Sequence, residues 1–123
     1  MTPLAALEAI RDALLASLVK TDVYIGHIDF TPQRQYVVLA PSTDEGPLAL
    51  DGRSDREMTV RLYAVSGYMD DCLRLSEQCR AILSDLVIDQ GPVLPQFSAW
   101  PMKTENPGDL RWEQVTEYLC HLH

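Results

Sequence analysis

Lysine is nearly missing from this chain. Lys20 and Lys103 are the only two, and with eight arginines the basic residues total 10 against 18 acids. The net charge is −8 and the isoelectric point about 4.6. That deficit excludes a broad basic surface for nucleic acid, which needs clustered cations to neutralise phosphates. It leaves room for DNA to pass close by, since an acidic wall repels phosphate and prevents sticking. The preference for arginine over lysine reads mainly as genomic base composition, with some bias toward bidentate pairing at interfaces.

Cysteine is sparse as well. Cys72, Cys79 and Cys120 make an odd number with no Cys-x-x-Cys pair, which does not describe a disulfide framework. Cys72 and Cys79 are seven apart in a helical pattern, so they share one face. All three are expected to be reduced core residues in a reducing compartment. No long apolar run opens the chain, because Glu8, Arg11 and Asp12 interrupt it. That excludes a signal-peptide core or a membrane span there and predicts a soluble product made in the cytoplasm, with no membrane partner. Phosphate loops, dinucleotide fingerprints, zinc motifs and Gly-x-Ser-x-Gly elbows are all missing.

What is present suits one globular domain spanning 1–123. The chain has 123 residues, 46% hydrophobic and 23% charged, enough to bury a core without staples. Thr2-Pro3 opens a helix whose stripe is Leu4, Leu7, Ile10, Leu14 and Leu18, ending near Lys20. Asp22–Ile28 and Gln35–Ala40 read as strands joined by a turn at Thr31-Pro32-Gln33, predicting an antiparallel hairpin. Pro41–Arg56, with two prolines, two glycines and several acids, reads as a long loop and the best candidate for a binding or assembly loop. A solvated insertion is the alternative.

Glu57–Val65 alternates most cleanly. Met58, Val60, Leu62 and Ala64 form one face, and Glu57, Thr59, Arg61 and Tyr63 the other. Ser66 is a candidate cap for a helix that follows, with Asp70 and Asp71 in its first turns and Cys72, Leu75, Cys79, Ile82 and Leu86 as its buried stripe. A short strand near Gln96–Trp100 suits a sheet edge, where prolines are tolerated. Leu110–Leu122 closes the chain as a long strand. Its apolar face is interrupted by Gln114 and Thr116 while Val115 and Leu119 fall opposite, which predicts a bulge or a two-sided environment. The fold class is α+β: a mainly antiparallel sheet with two helices packed on one face.

The search for chemistry returns little. His27-x-Asp29 has the form of a base and its orienting carboxylate, but no motif places a nucleophile beside it. His121 and His123 would share one side of a strand, as chelation wants, with no further ligand tied to them. No catalytic residue, metal ligand or cofactor is therefore assigned. Asp51-Gly52-Arg53-Ser54-Asp55-Arg56 alternates charge around a turn, as a partner-contact tip or as a solvated loop. Arg61 and Tyr63 belong to the residue types enriched at interface hot spots, and a plain solvent face is the alternative. Tyr24, Trp100 and Trp112 are read as core or groove packing.

The order of elements resembles the small tail-terminator (tail-completion, or minor tail) proteins of long-tailed bacteriophages. The likeness is carried by the Leu4–Leu18 helix, the strand ending Tyr36-Val37-Val38-Leu39, the loop, the Arg56–Ala64 strand, the Tyr68–Leu86 helix and the closing strand from Trp112 to Tyr118. It implies a structural virion protein of the tail or neck, not an enzyme. Such a protein forms a ring, usually of six subunits, that caps the tail tube, ends tail polymerisation and joins the head. Implied partners are further copies of the chain, the tube protein and a head-completion protein, with DNA passing through the lumen unbound. A cyclic ring needs two different complementary patches per subunit. Arg53, Asp55, Arg56, Arg61 and Tyr63 are the residues expected in one of them. Another neck component, a head-completion or head–tail joining protein, is the nearest alternative. A host α+β domain binding a small molecule is the more distant one.

Overall fold

The computed structural model describes residues 2–26, 28, 32, 34–45, 56–89, 91–104 and 111–122, with the side chains of 42–45 and 56 left aside. Helix α1 spans Pro3–Ser17. Thr2 caps it, its hydroxyl accepting from the Ala5 amide at 3.1 Å, and Pro3 occupies the first turn. Ala6, Leu7, Ile10 and Leu14 are its buried face, while Leu4 is exposed. The helix stops before Lys20, which adopts a left-handed φ of 52°.

Strands β1 (Asp22–Ile25), β2 (Tyr36–Glu45) and β3 (Arg56–Ser66) follow, then helix α2 (Met69–Ser84). Strands β4 (Val87–Ile88), β5 (Gly91–Pro92), β6 (Leu94–Ser98), β7 (Met102–Lys103) and β8 (Trp112–Leu122) complete the chain. The main sheet runs β1-β2-β3-β8-β6, with β7 also on β8, and β4 and β5 pair separately. All pairings in the main sheet are antiparallel except β1 with β2. Both helices pack on the face formed by Val23, Val37, Leu39, Met58, Val60, Leu62, Ala64, Tyr118, Cys120 and Leu122. The α+β class and the helix-covered sheet stand as the alternation predicted.

Three expectations are corrected. The first is pairing direction: β1 and β2 are parallel, in register from Asp22 opposite Tyr36 to Ile25 opposite Leu39. Polar contacts hold the end of the connection beside the start of β1. Arg34 donates to the Asp22 carboxylate at 2.6 Å, and Gln35 Nε2 to Thr21 Oγ1 at 2.6 Å. The Arg111 guanidinium reaches from the start of β8 to the carbonyl oxygens of Arg34 and Pro32 and lies over the Tyr36 ring. The second is the loop. β2 continues through Pro41 to Glu45 and pairs with β3 back to Glu57, so strand occupies both ends of the stretch expected to be irregular. β1 borders β2 only from Tyr36 to Leu39. Beyond that, among the described residues, β2 is an edge strand, where proline and acidic residues fit. The third is the start of α2: Ser66 ends β3, buried, and Tyr68 stands at the helix N-cap without a side-chain bond. Asp70 and Asp71 do lie in the first turn, where the helix dipole favours them.

The buried stripe of α2 is Cys72, Leu75, Ser76, Cys79 and Leu83, with Ile82 only partly buried. All three cysteines are free and buried. Burial pushes the Cys72 and Cys120 thiols up to about 11 and Cys79 to about 12, which leaves them unreactive near neutral pH.

Candidate functional site

The sheet has a second face, turned away from the helices. Because side chains alternate along a strand, the register decides its membership. Across β3 and β8 it pairs Glu57 with His121, Thr59 with Leu119, Arg61 with Glu117, Tyr63 with Val115 and Val65 with Glu113. From β2 it takes Tyr36 beside Val65, Val38 beside Tyr63 and Ala40 beside Arg61. Tyr24 of β1 meets Tyr36 edge-on, with ring centroids 6.2 Å apart. Among the described residues no helix or strand lies across this face. Its centre is a groove of about 520 Å³ lined by Tyr36, Val38, Ala40, Tyr63, Val65 and Glu113, with Gly26 and Ile28 at one side.

Arg61 and Tyr63 are therefore brought together with an apolar patch. Arg61 is exposed and donates from Nε to the Glu117 carboxylate at 3.0 Å across the strands. That hydrogen bond, first among its contacts, holds the guanidinium pKa above its usual value. Tyr63 is half-buried. Arg56 opens β3 opposite Leu122 at the far end of the same ladder. Arg53 and Asp55 lie outside the described residues, as do most of the charged tip they belong to and the His27–Asp29 pair. His121 sits on this face with Nδ1 3.8 Å from the Glu57 carboxylate, and His123 is outside the described residues. Among the described residues no group of three acids, histidines or cysteines is placed to hold a metal ion.

Sequence reasoning missed the apolar half of the face. Val115 and Leu119, opposite Tyr118 and Cys120 across the plane of β8, are its signal: the strand is apolar on both sides. The β3–β8 register runs unbroken from Arg56 to Ser66, so the strand is two-sided there, and the register shift on its other side falls in β6, between Pro95 and Phe97. Glu113 is the charged exception in the groove, and desolvation by its apolar surroundings raises its carboxyl above the ordinary 4.5. The folded chain thus holds this proton more tightly than the unfolded chain. The associated stability is complete below the ordinary value and is lost as pH rises through the folded one. Glu113→Gln should stabilise the fold near pH 7, by about 0.5 kcal/mol at most because solvent screens a half-exposed carboxylate. The gain should vanish below about pH 4, as thermal unfolding at the two pH values would read.

A smaller feature lies on the other side of the sheet, between α2 and β6. Ser76, Ser98, Gln114, Thr116 and Tyr118 surround a cavity of about 150 Å³, with Glu77 and Arg80 at its rim. Thr116 Oγ1 is 3.4 Å from Ser76 Oγ and 3.2 Å from Ser98 Oγ. Gln114 Nε2 donates to Ser98 Oγ at 3.3 Å and to the Ala99 carbonyl at 3.0 Å. These bonds explain how two polar residues interrupt the apolar face of β8 and remain buried. Within β6 the chain exposes Phe97, and beyond it Trp100 and Met102. Trp100, expected to be packed, is 85% exposed, because it follows the edge strand where nothing described covers it. Trp112 is partly buried beneath the Lys103 ammonium, 5.7 Å from its ring centre.

No protein-family model matches this sequence, and neither does any curated protein. Among solved structures the fold has a clear counterpart. The chain resembles one from the "Virion of native gene transfer agent (GTA) particle". The two superpose with a TM-score of 0.68 at 16% identity, covering 92% of this chain and 91% of that virion chain. At this identity the likeness is one of fold. It extends over nearly the whole of both chains, so the elements that build both sheet faces are part of it.

Proposed function

We propose that this chain is a structural protein of a phage-like virion and that within it the chain caps the tail tube as a ring, ending tail polymerisation and presenting a joining surface to the head. The observation that carries this is the shared fold with a chain of a gene transfer agent virion over 92% of this chain and 91% of that one. The order of elements, which resembles that of tail-terminator proteins, supports the same reading. In this reading the chain is not an enzyme; its work is contact. Its partners are further copies, six in the usual ring, a tail-tube protein and a head-completion protein. The excess of acidic residues suits a lumen through which DNA must slide.

Subunit contact is proposed for the face that carries Arg61 and Tyr63, with Arg56 at the end of its strand and Arg53 and Asp55 in the segment before it. A ring subunit contacts two neighbours through different patches, so this face supplies one patch and its complement lies elsewhere on the chain. Arg61 spends one N–H on Glu117 and, exposed, keeps others for a neighbour.

The test is electron microscopy of the purified chain mixed with tail tubes. Ring caps on tube ends are expected, and Arg61→Ala should reduce the capped fraction several-fold. Intact caps with Arg61→Ala would remove Arg61 from the contact, and bare tube ends with the unaltered chain would overturn the capping role. Deletion of the gene separates the nearest rival, since overlong tubes mark a terminator whereas separated heads and tails mark a head–tail joining protein.

A further inference from the structure

Helix α1 is apolar on two sides. Ala6, Leu7, Ile10 and Leu14 face the core, while Leu4 and Leu15 are exposed on the outer side. Eleven residues make three turns, so Leu4 and Leu15 point the same way, about 17 Å apart along the axis. Glu8 and Asp12 lie between them, and Arg11 there is already bound to Asp12 at 3.1 Å. Lys20 follows the helix, exposed and without an ion-pair partner among the described residues. The outer side of α2 is instead polar, with Arg74, Glu77, Gln78 and Arg80 exposed.

The uncovered sheet face, on the opposite side of the chain, carries a matching order of groups. Its groove centres on Val38 and Tyr63, with Val115 next in the row. Leu119 lies four residues along β8 from Val115, about 17 Å from Val38 by strand spacing. Arg61 stands between the two apolar spots, exposed, with N–H groups beyond the one it gives to Glu117. Past the groove in the other direction comes Glu113, half-buried and without a partner among the described residues.

The geometry points to a contact in which α1 of one copy lies along the uncovered sheet face of the next. Leu15 enters the groove, Leu4 reaches Leu119, Glu8 and Asp12 meet Arg61, and Lys20 meets Glu113. A helix running in the direction of β3 makes both charge matches, whereas a reversed helix takes Lys20 away from Glu113. A half-apolar sheet face is ordinarily covered by a helix layer, and here the next copy supplies it. The two patches differ and sit on opposite layers of the chain, as a closed ring requires. This rests on the reading of the chain as a ring subunit and names the complement of the Arg61 face.

The experiment mixes two full-length variants, Leu15→Cys and Val38→Cys, in equal amounts and treats them briefly with a short bismaleimide. The native thiols do not compete, being buried and pushed up to about 11 or 12. Mass spectrometry should find position 15 joined to position 38 in about nine-tenths of the bridges, because a heterologous contact pairs unlike patches. Chance capture of two reactive thiols gives at most half. Lys20→Glu in the Leu15→Cys chain should cut that yield about three-fold, and Glu113→Lys in the Val38→Cys chain should restore it. Bridges absent or at the chance share, bridges mainly between two copies of position 38, or a charge swap that fails to restore the yield would overturn the proposal. Bridging captures fleeting pairs and needs no tube. Normal bridging with bare tube ends would therefore overturn the capping role and leave this contact standing, and capped tubes with chance bridging would do the reverse.

Discussion

Leu62→Ala is expected to cost about 2–5 kcal/mol, the usual range for truncating a fully buried leucine to alanine. Leu62 is fully buried at the middle of β3, in register with Leu39 on one side and Thr116 on the other. Both neighbouring strands are locked to β3 by long ladders, so they cannot close over the space left behind. The loss has two parts, the transfer energy of the missing carbons and the cavity that persists. Against a total stability of about 5–15 kcal/mol, that is a large fraction. The melting temperature should fall by about 10–20 °C, measured by circular dichroism. Thr59→Ala, three residues away on the opposite face, serves as the control and should change stability by no more than about 0.5 kcal/mol. Similar losses for both would contradict the assignment of faces.

The second large effect separates folding from assembly. Val38 lies half-buried in the groove of the uncovered sheet face, opposite Tyr63 in the ladder. In an isolated subunit Val38→Glu can extend its carboxylate into water, so the fold should survive with little change in melting temperature. In an assembled ring the same carboxylate would be shut against Tyr63 and Val65 with Glu113 near it. An unpaired charge buried at a contact is strongly unfavourable, and the loss should reach at least about 2 kcal/mol, roughly 30-fold in association. Sedimentation velocity and counts of capped tube ends would read it. Capping equal to that of the unaltered chain would leave the face to solvent and move the subunit contact elsewhere.

The two variants also mark how far the residues speak for themselves. The faces of β3 were legible because strict alternation over Glu57–Val65 admits one arrangement, and Leu62 belongs to the core in any register that keeps it. The contact candidates were legible only in part. Arg61 and Tyr63 stood out by type and by face. Their setting did not, because Tyr36, Val38 and Val115 come from strands whose order in the sheet no local pattern states. The small polar cavity between α2 and β6 was visible only as an anomaly, two polar residues at inward positions of β8. Its other walls come from α2 and β6, with Ser76 40 residues from Thr116 in the chain.

Local physics by itself determined the helices, the cap at Thr2, the two-faced β3 and the α+β class, since period and capping act between near neighbours. Tertiary structure alone decided the rest. It made β1 and β2 parallel, against their short connection, because Arg111 reaches back 77 residues to Arg34 and Thr21 and Asp22 grip the chain beside it. It drew Pro41–Glu45 into a strand, because β3 offers a ladder while β1 ends too soon to forbid a proline. It left Trp100 outside, beyond an edge that nothing described covers. Such outcomes depend on which distant groups complete a hydrogen bond or close over a surface, and no window of sequence contains both partners.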